Sequence, residues 1–282
     1  MKGKGLTFTE LLVVISSVTM VTGVLMPALN GSRQTAVRLV CETNLRGIGR
    51  AMTVYATENG GHFPRAGGVG SYWSNNGIIH DWDVPTEYQA FGLVAPPGKA
   101  TITSSFFLLV KYGKVTPKQF VCKGDAGARE FKLCEQRTRV KDIHLVWDFG
   151  YGRQLSLSSI YPGGYCSYSY HMPYAANPTD VTNYAIIDGS NPGSPVCADR
   201  NPHLDRNDIE PNVMANSAAH GGKGQNVLYK DGSVRFEKRP TVGIREDNIY
   251  TYGGEPAGIP PAGNGDGFPA GEKDAYLVGE RN

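Results

Sequence analysis

The chain has 282 residues, of which 40% are hydrophobic and 19% are charged, and its formal net charge is +2. So small a charge excludes the basic surface that nucleic-acid-binding proteins need, and no nucleic-acid partner is expected. No His-Glu-x-x-His, Cys-x-x-Cys, Walker or Gly-x-Ser-x-Gly motif occurs, so the sequence predicts neither an enzyme nor a bound cofactor.

An apolar segment begins a few residues into the chain. Residues 6–29 would form a helix of roughly 36 Å, which is enough to cross a bilayer core of about 30 Å. Lys2 and Lys4 precede this segment and no acid does. The positive-inside rule therefore keeps the N-terminus cytoplasmic and places the rest of the chain across the membrane, as an extracytoplasmic head.

One acid, Glu10, lies near the start of the apolar segment. A lone carboxylate in hydrocarbon costs about 2.5–3.5 kcal/mol, so Glu10 is a functional candidate that needs a partner. Two simpler interpretations compete. A secretory signal peptide would need a small-residue cleavage site, which the residues after Pro27 do not offer. A plain single-span anchor leaves Glu10 unexplained.

Residues 4–15 resemble the cleavage and methylation signal of type IV prepilins and type II secretion pseudopilins. The resemblance implies that residues 1–5 are a leader and that a prepilin peptidase cuts after Gly5 and methylates the new amine of Leu6. It also implies that Glu10 is the fifth residue of the mature chain. Leu6 replaces the phenylalanine that is more usual there. Loss of the leader leaves equal numbers of basic and acidic side chains.

A filament gives Glu10 a physical role that agrees with this resemblance. In a core of packed apolar helices, Glu10 of one subunit would neutralise the terminal ammonium of Leu6 on its neighbour. A buried ion pair adds little net stability, but misalignment leaves a buried charge unpaired. We therefore assign Glu10 to assembly, as a determinant of register. The implied partners are the prepilin peptidase, other pilin or pseudopilin subunits, and the inner membrane.

The apolar segment is predicted to continue as an amphipathic helix in residues 30–62. Pro27 predicts either a kink or melted turn, or simply the end of the membrane span. Gly60 and Gly61 should stop the helix, which gives one helix over residues 6–59. Apolar residues at helical spacing form one buried stripe: Val37, Cys41, Leu45, Ile48, Met52 and Tyr55.

The next part of the chain, residues 63–252, is predicted to be a β-rich head. A short helix is expected at 106–111, capped by Ser104 or Ser105 and ended by Gly113. Alternating apolar and polar residues predict half-buried strands at 143–149 and 166–170, with a third candidate at 184–187. The C-terminal residues 253–282 are rich in Gly and Pro and are predicted to be an irregular loop or tail.

Asp231 and Gly232 give the clearest local signal in the head, because they separate two alternating runs. Asp-Gly favours a two-residue type I′ turn, in which both residues have positive φ. Counting outward from this turn pairs Tyr229 with Val234, and Val227 with Phe236. These four side chains would share the face that packs on the helix stripe. The other face would carry Leu228, Lys230, Arg235 and Glu237.

Together with His220, this hairpin resembles a processing-associated domain found at the C-terminus of many prepilin-like proteins, which is named for a His, nine residues and Asp-Gly. Here ten residues separate His220 from Asp231. Further similarities to that family lie around Cys41 and around Cys122. We interpret His220 as a structural, loop-bracing histidine bonded to backbone, rather than a catalytic one.

Cysteine and acidic positions leave two questions open. Five cysteines would permit two disulfides and one free thiol in an oxidising compartment. Cys122 with Cys134, and Cys166 with Cys197, are the nearest pairs, but spacing does not establish connectivity. Two acidic loops, 205–210 and 263–267, could hold Ca²⁺ but lack the EF-hand spacing, and solvated turns explain them more simply.

The sequence as a whole predicts a pilin-like α+β fold: a long N-terminal helix, with a membrane half and an amphipathic half, packed on an antiparallel sheet. The expected function is that of a subunit of a type IV pilus-like filament or a type II secretion pseudopilus, first in the inner membrane and then in a periplasmic or cell-surface filament. The alternative is a membrane-anchored carbohydrate-binding or enzymatic head, since aromatic residues such as Trp73 and Trp82 could stack on sugars.

Overall fold

A computed structural model describes residues 7–67, 72–73, 99–133, 142–152, 162–174, 185–204, 212–253, 258–261 and 267–279. Several predicted features lie outside these ranges. They are the processing residues Gly5 and Leu6, Cys134, Trp82, the acidic loop 205–210 and residues 263–266 of the second acidic loop.

A single helix, α1 (Phe8–Glu58), forms the N-terminal part of the structure, as the sequence predicts. It has 51 residues and continues through Pro27 without interruption, so the alternative of a melted turn at Pro27 is wrong. The helix ends where Gly60 and Gly61 adopt φ values of 63° and 83°. Glycine enters this left-handed region at little cost because it has no Cβ atom.

The two halves of α1 differ in what covers them. Between Phe8 and Leu29, the exposed large apolar side chains are each 47–77% exposed. In the second half, Cys41, Leu45, Ile48, Met52 and Tyr55 are all buried against the head, and Val37 is partly buried. The predicted stripe is therefore confirmed, while the first half presents an uncovered apolar surface. Among the described residues, α1 is the helix that is long and apolar enough to span a membrane, a test that a signal sequence also passes.

The first part of the head contains one further helix and two small strand pairs. Strands β1 (Tyr72–Trp73) and β2 (Lys99–Ala100) are parallel, and β3 (Val146–Asp148) and β4 (Tyr151–Gly152) are antiparallel. Helix α2 (Ile102–Lys111) is four residues longer at its start than predicted. The reason is that Thr101, rather than Ser104 or Ser105, is the N-cap, and its side chain accepts a hydrogen bond from the Ser104 N–H.

The main sheet has five antiparallel strands in the order β8-β7-β6-β5-β9. Helix α1 packs on β7 and β8. A long apolar helix on a five-stranded antiparallel sheet is a pilin-like α+β architecture. The strands are β5 (Tyr168–His171), β6 (Pro195–Asp199), β7 (Gln225–Tyr229), β8 (Val234–Glu237) and β9 (Leu277–Val278).

Three predictions about the strands need correction. Every residue of β5 is buried, so this strand is not half-buried: the helices cover one face of the sheet and a layer that includes Ile249 and Tyr250 covers the other. Residues 143–145 form a 3₁₀ turn that precedes β3. Residue 184 of the third predicted strand lies outside the described residues, and of the described residues 185–187 only Ile187 pairs, in an isolated bridge with His62. Within the predicted C-terminal loop, residues Leu277–Val278 form β9, the edge strand of the main sheet.

The β7–β8 hairpin is present, but its register is one residue away from the prediction. Leu228 pairs with Val234, and Asn226 pairs with Phe236. Gly232 has a φ of 81° whereas Asp231 does not have a positive φ, so the turn is not type I′. The Gly232 N–H donates to the Tyr229 carbonyl and the Tyr229 N–H donates to the Ser233 carbonyl. This pattern is a three-residue loop with glycine in the left-handed position.

The change of register reverses the faces of β7. Leu228 and Val234 join the core against α1, whereas Val227 and Tyr229 join the cluster on the opposite side of the sheet. The added Cβ of an alanine at Gly49 would lie 2.8 Å from Leu228 Cδ1, so Gly49 allows Leu228 to approach the helix closely. Leu228, rather than Tyr229, therefore packs on α1.

Candidate functional sites on the apolar helix and at a buried cysteine–histidine cluster

The N-terminus of α1 carries the first candidate site. Glu10 Oε2 accepts hydrogen bonds from the Thr7 N–H at 2.8 Å and from the Thr7 hydroxyl at 2.7 Å. In return, the Glu10 N–H donates to Thr7 Oγ1 at 3.4 Å, which completes a capping box. Both hydrogen bonds to the carboxylate go to Oε2, and Oε1 has no hydrogen-bond partner among the described residues. The Thr-x-x-Glu pattern in the sequence signals this cap, although it was not predicted.

Hydroxyl groups within the apolar half are satisfied by the helix itself. Ser16 and Ser17 donate to carbonyls one turn back, and Thr19 and Thr22 do the same. Hydrogen-bonded hydroxyls of this kind are compatible with a hydrocarbon environment. Glu10 is the charged residue between Phe8 and Leu29.

A disulfide between Cys41 and Cys122 lies at the centre of the second candidate site. It joins α1 to the loop after the 3₁₀ turn Pro117–Phe120, and 81 positions separate the two residues in the chain. Neither of the two neighbouring pairs considered from the sequence forms. Cys122 is bonded to Cys41 rather than to Cys134, and Cys166 and Cys197 are free thiols in the core.

His220 lies against this disulfide. Its Nε2 atom is 3.7 Å from Cys122 Sγ, 3.1 Å from Asp199 Oδ2 and 3.2 Å from Asn226 Nδ2. The 3₁₀ turn Ala218–His220, which Ser217 caps and which ends at a left-handed Gly221, positions the ring. The prediction that His220 bonds to backbone is wrong, since its neighbours are side chains from the loop at Cys122, β6 and β7.

Asp199 is the buried charge of this cluster. Its side chain is 0% exposed, and its Oδ2 atom accepts from the Asn226 N–H at 2.6 Å and from Asn226 Nδ2 at 3.3 Å. Its Oδ1 atom is buried without a hydrogen-bond partner among the described residues. A buried carboxylate needs a nearby positive charge or several donors, and the His220 ring is the imidazole that contacts it.

The histidine and the Asp-Gly pair of the His-x₁₀-Asp-Gly pattern make separate contacts at opposite ends of β7. Asp231 and Gly232 form the turn at one end of β7, where Asp231 Oδ1 accepts from the Ser233 N–H at 2.8 Å. His220 contacts Asn226, at the other end of the strand. Because His220 and Asp231 do not have to contact each other, the pattern can accept one additional residue between them.

A groove beside α1 reaches the edge of this cluster. It has a volume of about 520 Å³ and includes His220 in its wall. Four basic side chains line it: Arg33, Arg38, Lys123 and Lys223. The histidine is thus the member of the cluster that faces the groove, and its side chain is 7% exposed.

Asp148 is a second buried acid, which the sequence did not single out as a site. It accepts hydrogen bonds from the hydroxyls of Thr101 and Thr103 and from the Phe149 N–H. Burial raises the pKa of Asp148 from 3.8 to about 7, and these hydrogen bonds only partly oppose the rise. Its hydrogen-bond partners are internal groups that join α2 to β3, so we treat it as structural.

The chain was compared with protein-family models, with curated proteins and with solved structures. None of the three comparisons found a match. Function must therefore be inferred from the pilin-like architecture and from the geometry of these two sites.

Proposed function

We propose that this protein is a structural subunit of a type IV pilus-like filament or a type II secretion pseudopilus. A prepilin peptidase would cleave it after Gly5 and methylate Leu6. The observation that carries the proposal is the division of α1 into an uncovered apolar half and a half buried by the antiparallel sheet.

The uncovered half requires an apolar environment. Monomeric soluble proteins rarely expose contiguous apolar patches larger than a few hundred Å². Lipid would cover this surface before assembly, and the same halves of other subunits would cover it in a filament. Because one surface fits both surroundings, a subunit could leave the bilayer without refolding.

The head supports this assignment through its crosslink. A disulfide such as Cys41–Cys122 persists in oxidising compartments, which agrees with a head outside the cytoplasm. The inner membrane, the prepilin peptidase and neighbouring subunits are the partners that the proposal requires. The alternative of a carbohydrate-binding or enzymatic head depends on Trp73 and Trp82, whose side chains are not among those that the structure describes.

Electron microscopy of surface filaments distinguishes a filament subunit from a solitary anchored head. An epitope-tagged full-length copy would be expressed in its host, and sheared filaments would be labelled with gold against the tag. We expect label along the filaments, and none when the prepilin peptidase is deleted. Filaments without label, in cells whose membranes retain the tagged protein, would contradict the proposal.

A further inference from the structure

We infer that the dithiol form of Cys41 and Cys122 creates, together with His220 and Asp199, a binding site for one Zn²⁺ ion or a similar borderline-soft divalent cation. The four donor atoms all lie within 4.8 Å of one another. This inference does not depend on filament assembly, because all four residues belong to the head and the half of α1 that packs on it.

The separations fit a tetrahedral site. Zinc bonds of about 2.0–2.3 Å to nitrogen, oxygen and sulfur place neighbouring ligand atoms roughly 3.3–3.8 Å apart. His220 Nε2 is 3.1 Å from Asp199 Oδ2 and 3.7 Å from Cys122 Sγ, so both separations are already close to that range. The two sulfurs are closer because they are covalently bonded, and breaking that bond allows them to separate.

Unsatisfied buried oxygen atoms indicate that a positive charge would be favourable in the cluster. Asp199 Oδ1 and Asn226 Oδ1 are both buried without a hydrogen-bond partner among the described residues. Asn226 also donates twice to Asp199 Oδ2, and so fixes the orientation of the carboxylate. Partners outside the ligand set hold metal-binding side chains in the same way in known sites.

The donor set selects the class of metal. Two thiolates, an imidazole and a carboxylate suit Zn²⁺ and related borderline-soft ions. Ca²⁺ and Mg²⁺ prefer oxygen ligands and are not expected to bind. The basic side chains of the groove beside His220 should slow the entry of a cation, and salt should reduce this effect by screening their charge.

The metal and the disulfide exclude one another. Conversion of the disulfide to two thiols takes two electrons and two protons from a dithiol reductant, which itself becomes a disulfide. One proton goes to each sulfur, and Zn²⁺ then displaces both protons. A chain whose cysteines have not yet been oxidised reaches the same site directly. Either crosslink joins α1 to the loop at Cys122.

Co²⁺ substitution tests the site, because tetrahedral cobalt has strong visible bands and thiolate ligands add charge-transfer absorption. The full-length chain in detergent would carry serine at the remaining cysteines, Cys134, Cys166 and Cys197. It would be reduced with a phosphine, freed of reductant without oxygen, and titrated with Co²⁺ and then Zn²⁺. We expect one equivalent of Co²⁺ with thiolate bands, stoichiometric displacement by Zn²⁺, and no binding by the oxidised protein.

Variants assign the ligands. Cys122→Ser leaves Cys41 as the one thiolate of the proposed set and should weaken the charge-transfer bands by about half. His220→Ala or Asp199→Asn should weaken Zn²⁺ binding by about tenfold or more. Asp125→Asn is the matched control, because Asp125 lies near Cys122 but pairs with Arg200. His220→Gln replaces His220→Ala if the alanine variant fails to fold.

Three results would overturn the inference. They are the absence of thiolate bands in the reduced protein, equal binding by the oxidised protein, and binding that neither the His220 nor the Asp199 variant weakens. If reduction unfolds the head, circular dichroism after Zn²⁺ addition tests whether the metal restores the fold. Refolding by one equivalent of Zn²⁺ supports the site, and failure to refold contradicts it.

Discussion

Glu10 caps its own helix and, in the proposed filament, also meets the terminal amine of a neighbouring subunit. The two roles make different demands on the side chain. Capping requires only an acceptor that reaches the Thr7 N–H, and glutamine can supply one. Pairing with an ammonium requires the negative charge. Substitution at this one position can therefore separate the two roles.

Glu10→Leu should insert into the membrane at least as well as the natural chain, because it removes a costly polar group. Cleavage after Gly5 should persist, since Glu10 lies beyond the scissile bond. Filament yield, measured by shearing and immunoblotting, should fall about tenfold or more, because an unpaired buried charge costs several kcal/mol. Glu10→Gln, which keeps the cap, should fail in the same way. Normal yield from Glu10→Gln would leave capping as the only role of Glu10.

Asp148 makes the stability of the head depend on pH. Because its pKa is raised from 3.8 to about 7, the folded state binds a proton that the unfolded state releases in this window. Its contribution to the free energy of unfolding therefore falls as the pH rises from about 4 to about 7. His171 acts in the opposite direction, since burial lowers its pKa from 6.5 to about 4.

Asp148→Asn isolates the effect of Asp148 on stability. His171 is present in both the variant and the natural chain, so its contribution cancels in the difference between their free energies of unfolding. The stability of the variant relative to the natural chain should rise between about pH 4 and pH 7, by at most about 4 kcal/mol, and then level off. Chemical unfolding of the full-length chain in detergent, followed by near-ultraviolet circular dichroism, measures this difference. A difference that stays constant or falls with pH would show that Asp148 is not buried as described.

At the scale of elements, the β7–β8 hairpin shows how one glycine sets a register. Gly232 lies at a φ of 81°, and an added Cβ atom would meet nothing within 4 Å. Any effect of a larger residue there must come from the backbone conformation rather than from a clash. The register in turn decides whether Leu228 or Tyr229 faces α1.

Gly232→Val should lower the free energy of unfolding by roughly 1–3 kcal/mol, because a β-branched residue is strained at positive φ. Gly189→Val is the matched control: its Cβ would also be in open space, but its φ is not in the left-handed region. That control should change stability by less than about 0.5 kcal/mol. Gly232→Asn should lower the free energy of unfolding by less than Gly232→Val, since asparagine tolerates the left-handed region. Equal losses at Gly189 and Gly232 would refute the turn assignment.

Local patterns in the sequence predicted α1 but not the details of the sheet. The helix could be predicted because its stripe and its glycine stop are encoded within a few residues of one another. The hairpin register could not, because Asp-Gly suits both a two-residue and a three-residue loop. The burial of both faces of β5 was also missed, since it depends on residues far along the chain, such as Tyr250.

The buried cluster lay beyond prediction for a similar reason. Cys41 and Cys122 are 81 positions apart, and His220 and Asp199 come from still later elements. Spacing favoured neighbouring cysteines, whereas the fold brings the stripe of α1 to the loop at Cys122. His220 was singled out from its resemblance to a known pattern, but its partners became evident only from the fold.

At the scale of the whole molecule, the chain has a folded head attached to a helix of which half is left uncovered. The helix is about 76 Å long at 1.5 Å per residue, so its apolar half extends well beyond the head. The head buries its own core and carries a crosslink to the second half of α1. In the proposed function, the uncovered half is what moves from the bilayer into the filament core.

The N-terminal peptide of the protein recovered from sheared filaments tests this account most directly. Mass spectrometry should find a chain that begins at Leu6 with a methylated amine, while membranes of cells without the prepilin peptidase should retain Met1. A chain that begins near Ala28 would indicate an ordinary signal peptide. Retention of Met1 in cells with an active prepilin peptidase would contradict the assignment as a filament subunit.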